Sequence, residues 1–310
     1  MRKNINSVKV FSPASVANVG PGFDILGFAI NNIGDTITLT KRNDERYIIE
    51  AIGAELPLNP DQNVATVALK SFCNHVGHKG GFDIKIEKNF TPGSGLGSSA
   101  SSAVGAVYAA NELLESGFSR EELITFALDG EALASGNRHG DNVVPCMLGG
   151  FVGVKNCDPY EGFQVSFPDD LNVLIVFPDV PIKTSEARAI LPQTVTLKNG
   201  IKQAANMAGL IKGLMDGDYS LIKASLQDVF AQPHRKKMIP QYDRVEDIIM
   251  KNGAIGFNIS GSGPAMFAFF NKNQGLTEVK RQIESVYNAE QIHVQFLEST
   301  INKNGVTVVQ

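Results

Sequence analysis

The sequence has few cysteines and no two of them form a C-x-x-C pair. Cys73, Cys146 and Cys157 lie far apart, so neither a disulfide framework nor a zinc site can be drawn from them. The chain also lacks a long basic run, and its formal net charge of -4 argues against a nucleic-acid partner, which requires a clustered positive face. No apolar stretch reaches the roughly 18 residues that a transmembrane helix needs. We therefore expect a cytoplasmic protein with no nucleic-acid partner and no membrane association.

Apolar residues, by contrast, are plentiful enough for packed cores. The 310 residues are 43% hydrophobic and 19% charged, a composition without the signature of disorder. This length exceeds the usual size of a single hydrophobic core and favours two domains. A polar break follows the strand pattern at residues 163–165, and we predict domains at 1–168 and 169–310.

Periodicity predicts a mixed α+β fold. In the first half, period-two strand patterns at residues 8–11, 36–40, 47–50 and 82–86 alternate with helical patterns at about 64–72 and 99–114. Ser119 with Glu122 forms a capping box that begins a further helix. In the second half the predicted order is β-α-β-β-α-β with extra helices in the first crossover, which is typical of a ferredoxin-like domain.

A loop rich in glycine and serine, residues 91–102, follows a predicted strand and opens a predicted helix. Such a loop brings backbone N–H groups close to an anion, and the helix N-terminus adds unpaired donors. The loop lacks the lysine of a Walker loop and the G-x-G-x-x-G spacing of a dinucleotide site. The alternative interpretation is an ordinary turn with a tightly packed helix behind it. The predicted phosphate-binding residues are Pro92, Gly93, Ser94, Gly95, Leu96, Gly97, Ser98, Ser99, Ala100 and Ser101.

This loop and two other motifs of the sequence resemble the motifs of the GHMP kinases, a family of small-molecule kinases that includes galactokinase and mevalonate kinase. The motifs lie at residues 12–29, 91–102 and 258–265, in the family's order. The resemblance implies transfer of a phosphoryl group from ATP to the hydroxyl of a small metabolite. It also implies an N-terminal domain similar to the second domain of ribosomal protein S5, followed by a ferredoxin-like C-terminal domain.

Two stretches resemble the homoserine kinase branch of the family. The first is Asn-x-Gly-Pro-Gly-Phe-Asp at residues 18–24, and the second is the stretch of residues 138–145. The resemblance implies L-homoserine as substrate, whose carboxylate suits arginine and whose ammonium suits short acids and amides. The implied substrate-binding residues are Asn18, Asp24, His139, Asp141, Thr184, Arg188 and Arg235. From the residues alone, without the family resemblance, each position has an ordinary structural interpretation. Residues 234–237 are typical of a solvated charged face, Asn18 and Asp24 are typical of a turn, and His139 is typical of a structural histidine.

A kinase needs a metal to neutralise phosphate charge, and we expect Mg²⁺ on Ser99 and Glu131. Glu131 lies at the flank of an apolar helical stripe, although a partly exposed acid is the alternative. The resemblance places adenine near Asn63 and assigns catalysis to Asp141, Asn142, Glu131 and Arg188. Asn142 stands where the mevalonate kinase branch has an aspartate, and an amide cannot accept a proton. We therefore predict catalysis by alignment and electrostatic stabilisation.

The family also suggests a homodimer. Two alternatives stay open: another GHMP kinase with a mevalonate-type or sugar substrate, and a nucleotide-binding regulator without turnover.

Overall fold

A computed structural model describes residues 6–136 and 138–309, in which the strands form two separate sheets. In the N-terminal sheet the order is β11-β1-β2-β4-β3, β5 pairs with the start of β2, and β6 pairs with β5. β3 and β4 are parallel, and the other pairs are antiparallel. The strands of this sheet are β1 (Ser7–Val16), β2 (Leu26–Lys41), β3 (Tyr47–Ile52), β4 (Phe82–Glu87), β5 (Phe151–Cys157), β6 (Tyr160–Val165) and β11 (Thr307–Val308).

Helices that pack on one another and on this sheet complete the N-terminal half. They are α1 (Val64–Val76), α2 (Ser98–Leu114), α3 (Arg120–Ser135) and α4 (Gly140–Leu148). The predicted capping box is confirmed: Ser119 caps α3, and Glu122 bonds back to the Ser119 backbone. Helix α2 is built largely from Ala and Ser and is buried along almost its whole length, so small side chains allow its neighbours to approach closely.

The C-terminal sheet is antiparallel, with the order β10-β7-β9-β8. Its strands are β7 (Leu171–Pro178), β8 (Gly256–Ile259), β9 (Met266–Asn271) and β10 (Val294–Thr300). The helices are α5 (Thr184–Ala189), α6 (Leu197–Asp216), α7 (Tyr219–Ser225), α8 (Gln232–Arg235), α9 (Tyr242–Lys251) and α10 (Thr277–Ala289). The strand and helix order is the predicted β-α-β-β-α-β, with extra helices in the first crossover.

One apolar cluster joins the two halves. Phe28 and Phe151 of the N-terminal sheet contact Phe269 of the C-terminal sheet, with ring centroids 5.5 and 6.1 Å away. After β10 the chain returns, and β11 pairs with β1. The predicted division at residues 168 and 169 remains a prediction, and this returning strand crosses it. Within the described ranges, no helix combines the length and the apolar character that a membrane span requires.

Candidate functional site

A cavity of about 410 Å³ lies between the two halves. The glycine-rich loop borders it on one side, and α5 and α8 border it on the other. The structure brings most of the sequence-predicted site residues to its wall. These are Asn18, Asp24, Asn63, Pro92, Gly93, Gly95, Gly97, Ser98, Ser99, Glu131, His139, Asp141, Asn142, Thr184, Arg188 and Arg235.

The loop turns tightly into α2 through glycines with left-handed backbone. Gly95 and Gly97 have φ of 88° and 67°, a region that side chains with a Cβ rarely adopt. A Cβ on Gly95 would also lie 2.6 Å from the Ser260 carbonyl oxygen. The Ser101 N–H closes the first turn of α2 on the Gly97 carbonyl, so the N–H groups of Ser98, Ser99 and Ala100 have no partner within the helix. This arrangement suits an anion.

Four predicted loop residues have side chains that do not line the cavity. Leu96 packs into the apolar core, and Ser94 is buried. Ala100 is also buried, so its backbone N–H is the group available to bind an anion. The Ser101 N–H bonds to Gly97 and its hydroxyl bonds to the Ser12 carbonyl at 2.8 Å. The structure therefore does not bring Ser101 to the site, because both of its donors are used to hold α2.

Residues of the other two sequence motifs hold the loop in place. Together they donate to three successive loop carbonyls. The bonds run from Ala265 N to Ser94 O at 3.1 Å, from Ser260 Oγ to Gly95 O at 2.6 Å, and from Ser15 N to Leu96 O at 3.1 Å. All three motifs thus meet at the glycine-rich loop, which explains how segments far apart in sequence shape a single site.

Oxygen ligands suited to a divalent cation lie beside the loop. The Ser99 hydroxyl donates to Glu131 Oε2 at 2.7 Å, and Glu131 is 6% exposed on α3. Among the described residues, no group of three or more His, Cys, Asp or Glu side chains is arranged to hold a metal ion. The pair therefore fits Mg²⁺, which takes few protein oxygens and completes its shell with phosphates and water.

Lys88 is a cavity residue that the sequence analysis missed. It follows β4, and its Nζ donates to Asp35 Oδ2 at 2.5 Å, to the Ser98 carbonyl at 2.9 Å and to the Ser102 hydroxyl at 3.0 Å. Burial raises the pKa of the Asp35 carboxyl and lowers the pKa of the Lys88 ammonium, and the mutual attraction of the pair opposes both shifts. The pair fixes the first turn of α2 against β2.

We expect Lys88→Met to lower the free energy of unfolding by about 3–5 kcal/mol, because it leaves the buried Asp35 without its cation. Denaturant unfolding measures this loss. Lys85→Met, on the adjoining strand β4 and partly exposed beside Glu87, is the matched control with a loss below about 1 kcal/mol. A Lys88 variant as stable as the control would show that the ion pair does not support the loop.

Opposite the loop, Arg188 on α5 holds an acid and a histidine together. Its Nη2 lies 2.9 and 2.8 Å from the two Asp24 carboxylate oxygens and 2.7 Å from His139 Nε2. Burial lowers the pKa of His139, and the charge of Asp24 opposes this shift. Neutral His139 therefore accepts from the guanidinium. Thr184, one turn earlier on α5, lies 3.4 Å from the Ser262 hydroxyl.

Arg235 is 4% exposed, so the charged-face interpretation of residues 234–237 is wrong for this position. Its guanidinium donates to the carbonyls of Gly261 at 2.8 Å and Ala187 at 3.2 Å. The Asp228 carboxylate accepts from three backbone N–H groups at residues 230–232, in the turn that leads into α8. A short helix held by this turn thus carries a buried cation to the cavity wall.

Asp141 and Asn142 occupy the first turn of α4. Asp141 is 2% exposed, accepts from the Asn18 N–H at 3.2 Å, and burial together with the nearby Asp24 raises its pKa to about 7. Asn18 has left-handed backbone, and its Oδ1 accepts from the Asp24 N–H at 2.8 Å. The turn interpretation of Asn18 is therefore also correct, since it shapes the loop whose end carries Asp24.

At the other end of the cavity, Asn63 caps α1. Its Oδ1 accepts from the Ala65 N–H at 3.0 Å and its Nδ2 donates to the Pro57 carbonyl at 2.9 Å. Because these bonds are local, Asn63 shapes this wall. Leu56, Pro57 and Leu133, which the sequence analysis did not single out, also line the cavity and add apolar surface to it.

Comparisons with known proteins agree with these features. The GHMP kinase N-terminal domain matches residues 63–150, and the GHMP kinase C-terminal domain matches residues 210–289. The chain is 35% identical over 320 residues to a homoserine kinase of Chlorobium phaeobacteroides, covering 98% of this chain and 100% of that protein. It is 37% identical over 299 residues to a homoserine kinase of Pyrococcus furiosus, covering 96% and 99%.

Solved structures show the same similarity. The crystal structure of homoserine kinase from Cytophaga hutchinsonii has a TM-score of 0.95 at 38% identity and covers 100% of this chain and 99% of that chain. A galactokinase of Lactococcus lactis, crystallised with galactose, has a TM-score of 0.72 at 16% identity, covering 98% of this chain and 95% of that chain, and therefore supports the fold alone.

Proposed function

The chain belongs to the GHMP kinase family, and we infer that it is a homoserine kinase, transferring the terminal phosphoryl group of ATP to the side-chain hydroxyl of L-homoserine. The products are ADP and O-phospho-L-homoserine, a step of threonine biosynthesis. The curated relatives span nearly the whole chain, and they favour this substrate over the mevalonate-type, sugar and regulator alternatives. The expected homodimer and cytoplasmic location remain predictions.

One observation carries this proposal: a single cavity contains an anion-binding loop and, facing it, a cluster of cations and acids. Homoserine is a zwitterion, so its pocket must offer both charges. We assign the carboxylate to Arg188 and Arg235 and the ammonium to Asp24 and Asp141. Asn18, His139 and Thr184 complete the pocket. The triphosphate lies along the loop amides, and adenine lies toward Asn63.

Alignment is the main contribution of this site to catalysis. The loop amides and the N-terminus of α2 hold the phosphates, while the arginines fix the acceptor, so that its hydroxyl approaches the phosphorus in line. Ser99 and Glu131 would hold Mg²⁺, which would supply positive charge to neutralise the phosphates. Asn142 cannot accept a proton. The hydroxyl proton therefore passes to the phosphoryl group or to solvent.

A coupled assay of ADP formation tests the function directly. We expect ADP release with L-homoserine to exceed that with serine, threonine, mevalonate and galactose, because these compounds lack either the amino-acid head group or the right hydroxyl spacing. A preference for mevalonate or galactose would assign the chain to another branch of the family. Tight ATP binding without turnover on any of the five would support a regulator.

The pKa of Asp141 predicts the pH profile. In the free enzyme the carboxyl is protonated below pH 7, and a neutral acid does not attract an ammonium, so kcat/KM for homoserine falls about tenfold per pH unit below about pH 7. Bound substrate stabilises the carboxylate, so kcat changes less than kcat/KM.

Asp141→Asn is expected to remove this titration and to raise the homoserine KM. An unchanged pH profile in this variant would mean that another group titrates. If the variant instead loses many orders of kcat with homoserine binding intact, Asp141 acts as a general base.

A further inference from the structure

We propose that Ser15 is a positioning residue that fixes the orientation of the Asn142 amide at the point of phosphoryl transfer. This inference rests on the proposed function, since it gives Asn142 a partner in that reaction. Ser15 lies in β1, is 0% exposed and does not line the cavity, whereas Asn142 does. Ser15 therefore acts through Asn142 and does not contact the reactants.

The contact between the two side chains determines which end of the amide faces the cavity. The Ser15 hydroxyl donates to Asn142 Oδ1 at 2.8 Å. The single S–H of Cys146 donates to the Pro13 carbonyl, which lies 3.0 Å from Sγ, while Ser15 Oγ lies 3.5 Å from Sγ. The shorter contact, 2.8 Å to Asn142 Oδ1, therefore takes the Ser15 hydroxyl hydrogen. With Oδ1 occupied, the amide presents its NH₂ group to the cavity as a donor.

Ser15 also contacts the glycine-rich loop through its backbone. Its N–H donates to the Leu96 carbonyl at 3.1 Å. Gly97, the next loop residue, packs so closely on Ser15 Oγ and Asn142 Oδ1 that a Cβ there would collide with both. One buried residue thus sets the position of the phosphate-binding backbone relative to the amide donor.

This coupling matters because the site transfers a phosphoryl group by alignment. A donor aimed at an oxygen of the reacting groups stabilises charge that develops in the transition state, without reorganisation. If the Ser15 hydroxyl is removed, the amide can rotate and present Oδ1, an acceptor, to electronegative phosphoryl oxygens. Ground-state binding of ATP and homoserine depends on other residues, so the loss falls on kcat.

Ser15→Ala is expected to lower kcat about 10- to 100-fold while the KM of both substrates changes less than about threefold. The decisive comparison adds Asn142→Ala and the double variant. Since Ser15 acts through Asn142, the double variant should have the kcat of Asn142→Ala alone. Ser15→Cys, which keeps the volume but donates weakly, should lose activity like Ser15→Ala and replaces it if the alanine variant does not fold.

Ser12→Ala is the matched control. Ser12 is also 0% exposed on β1, and its hydroxyl has no hydrogen-bond partner among the described residues, so kcat should stay within about twofold of wild type. If the fold-losses of kcat in the two single variants multiply in the double variant, or if Ser15→Ala has an unchanged kcat, Ser15 does not act through Asn142. Either result would overturn the role of Ser15 and leave the proposed function intact. A wild-type enzyme that forms no ADP with homoserine would overturn both.

Discussion

Glu131→Gln should lower kcat about 1,000-fold, the loss that corresponds to about 4 kcal/mol of metal-dependent stabilisation of the transition state. The change keeps the size of the side chain and its ability to accept from Ser99, whose hydroxyl lies 2.7 Å away. What disappears is the anionic oxygen that a hard cation prefers. Steady-state rates across a Mg²⁺ titration measure the effect, and the Mg²⁺ concentration at half-maximal rate should rise.

The control for this variant is Glu121→Gln, an exposed acid on the same helix. It should retain wild-type kcat and the wild-type Mg²⁺ dependence. If Glu131→Gln lost activity with an unchanged Mg²⁺ dependence, Glu131 would act by holding Ser99 and α2, and the metal would need other ligands.

Arg188→Leu should raise the homoserine KM about 100-fold or more and leave ATP binding nearly unchanged. Removing the guanidinium withdraws a carboxylate ligand, and it also leaves Asp24 and His139 without the group that holds them at 2.8 and 2.7 Å. A 100-fold rise in KM corresponds to a loss of about 2.8 kcal/mol of binding free energy. Initial rates with each substrate varied in turn separate the two KM values.

Lys183→Leu is the matched control, because it removes a positive charge just before α5 that does not line the cavity and pairs with Glu186. Its homoserine KM should stay within about threefold of wild type. Equal losses of ATP and homoserine binding in Arg188→Leu would mean that Arg188 supports the scaffold of both sites.

Local signals predicted most of the elements. The capping box at Ser119 located the start of α3, and period-two alternation located β3, β4 and the second half of β2. The first half of β2 was missed because its apolar run, residues 26–30, has no alternation, and such a run does not distinguish a buried strand from a buried helix. Helix α4 was missed because Pro145 lies inside it, and an internal proline normally argues against a helix.

Long-range contacts explain what the sequence could not reveal about the site. Lys88 directly follows an alternating strand, where a lysine normally faces solvent, and its partner Asp35 lies 53 residues earlier. Arg235 is flanked by His234, Lys236 and Lys237, so its burial follows from the capped turn at Asp228 and not from local composition. The family resemblance pointed to Arg235 but not to Lys88, and only the fold shows which side chains face the cavity.

The most direct test of the account is a crystal structure with L-homoserine, Mg²⁺ and a non-hydrolysable ATP analogue. The triphosphate should follow the backbone of residues 92–100. The homoserine carboxylate should bond to Arg188 or Arg235, with the side-chain hydroxyl facing the terminal phosphate. A triphosphate bound away from the loop, or an acceptor that contacts neither arginine, would contradict the central claim that one cavity holds both substrates for direct transfer.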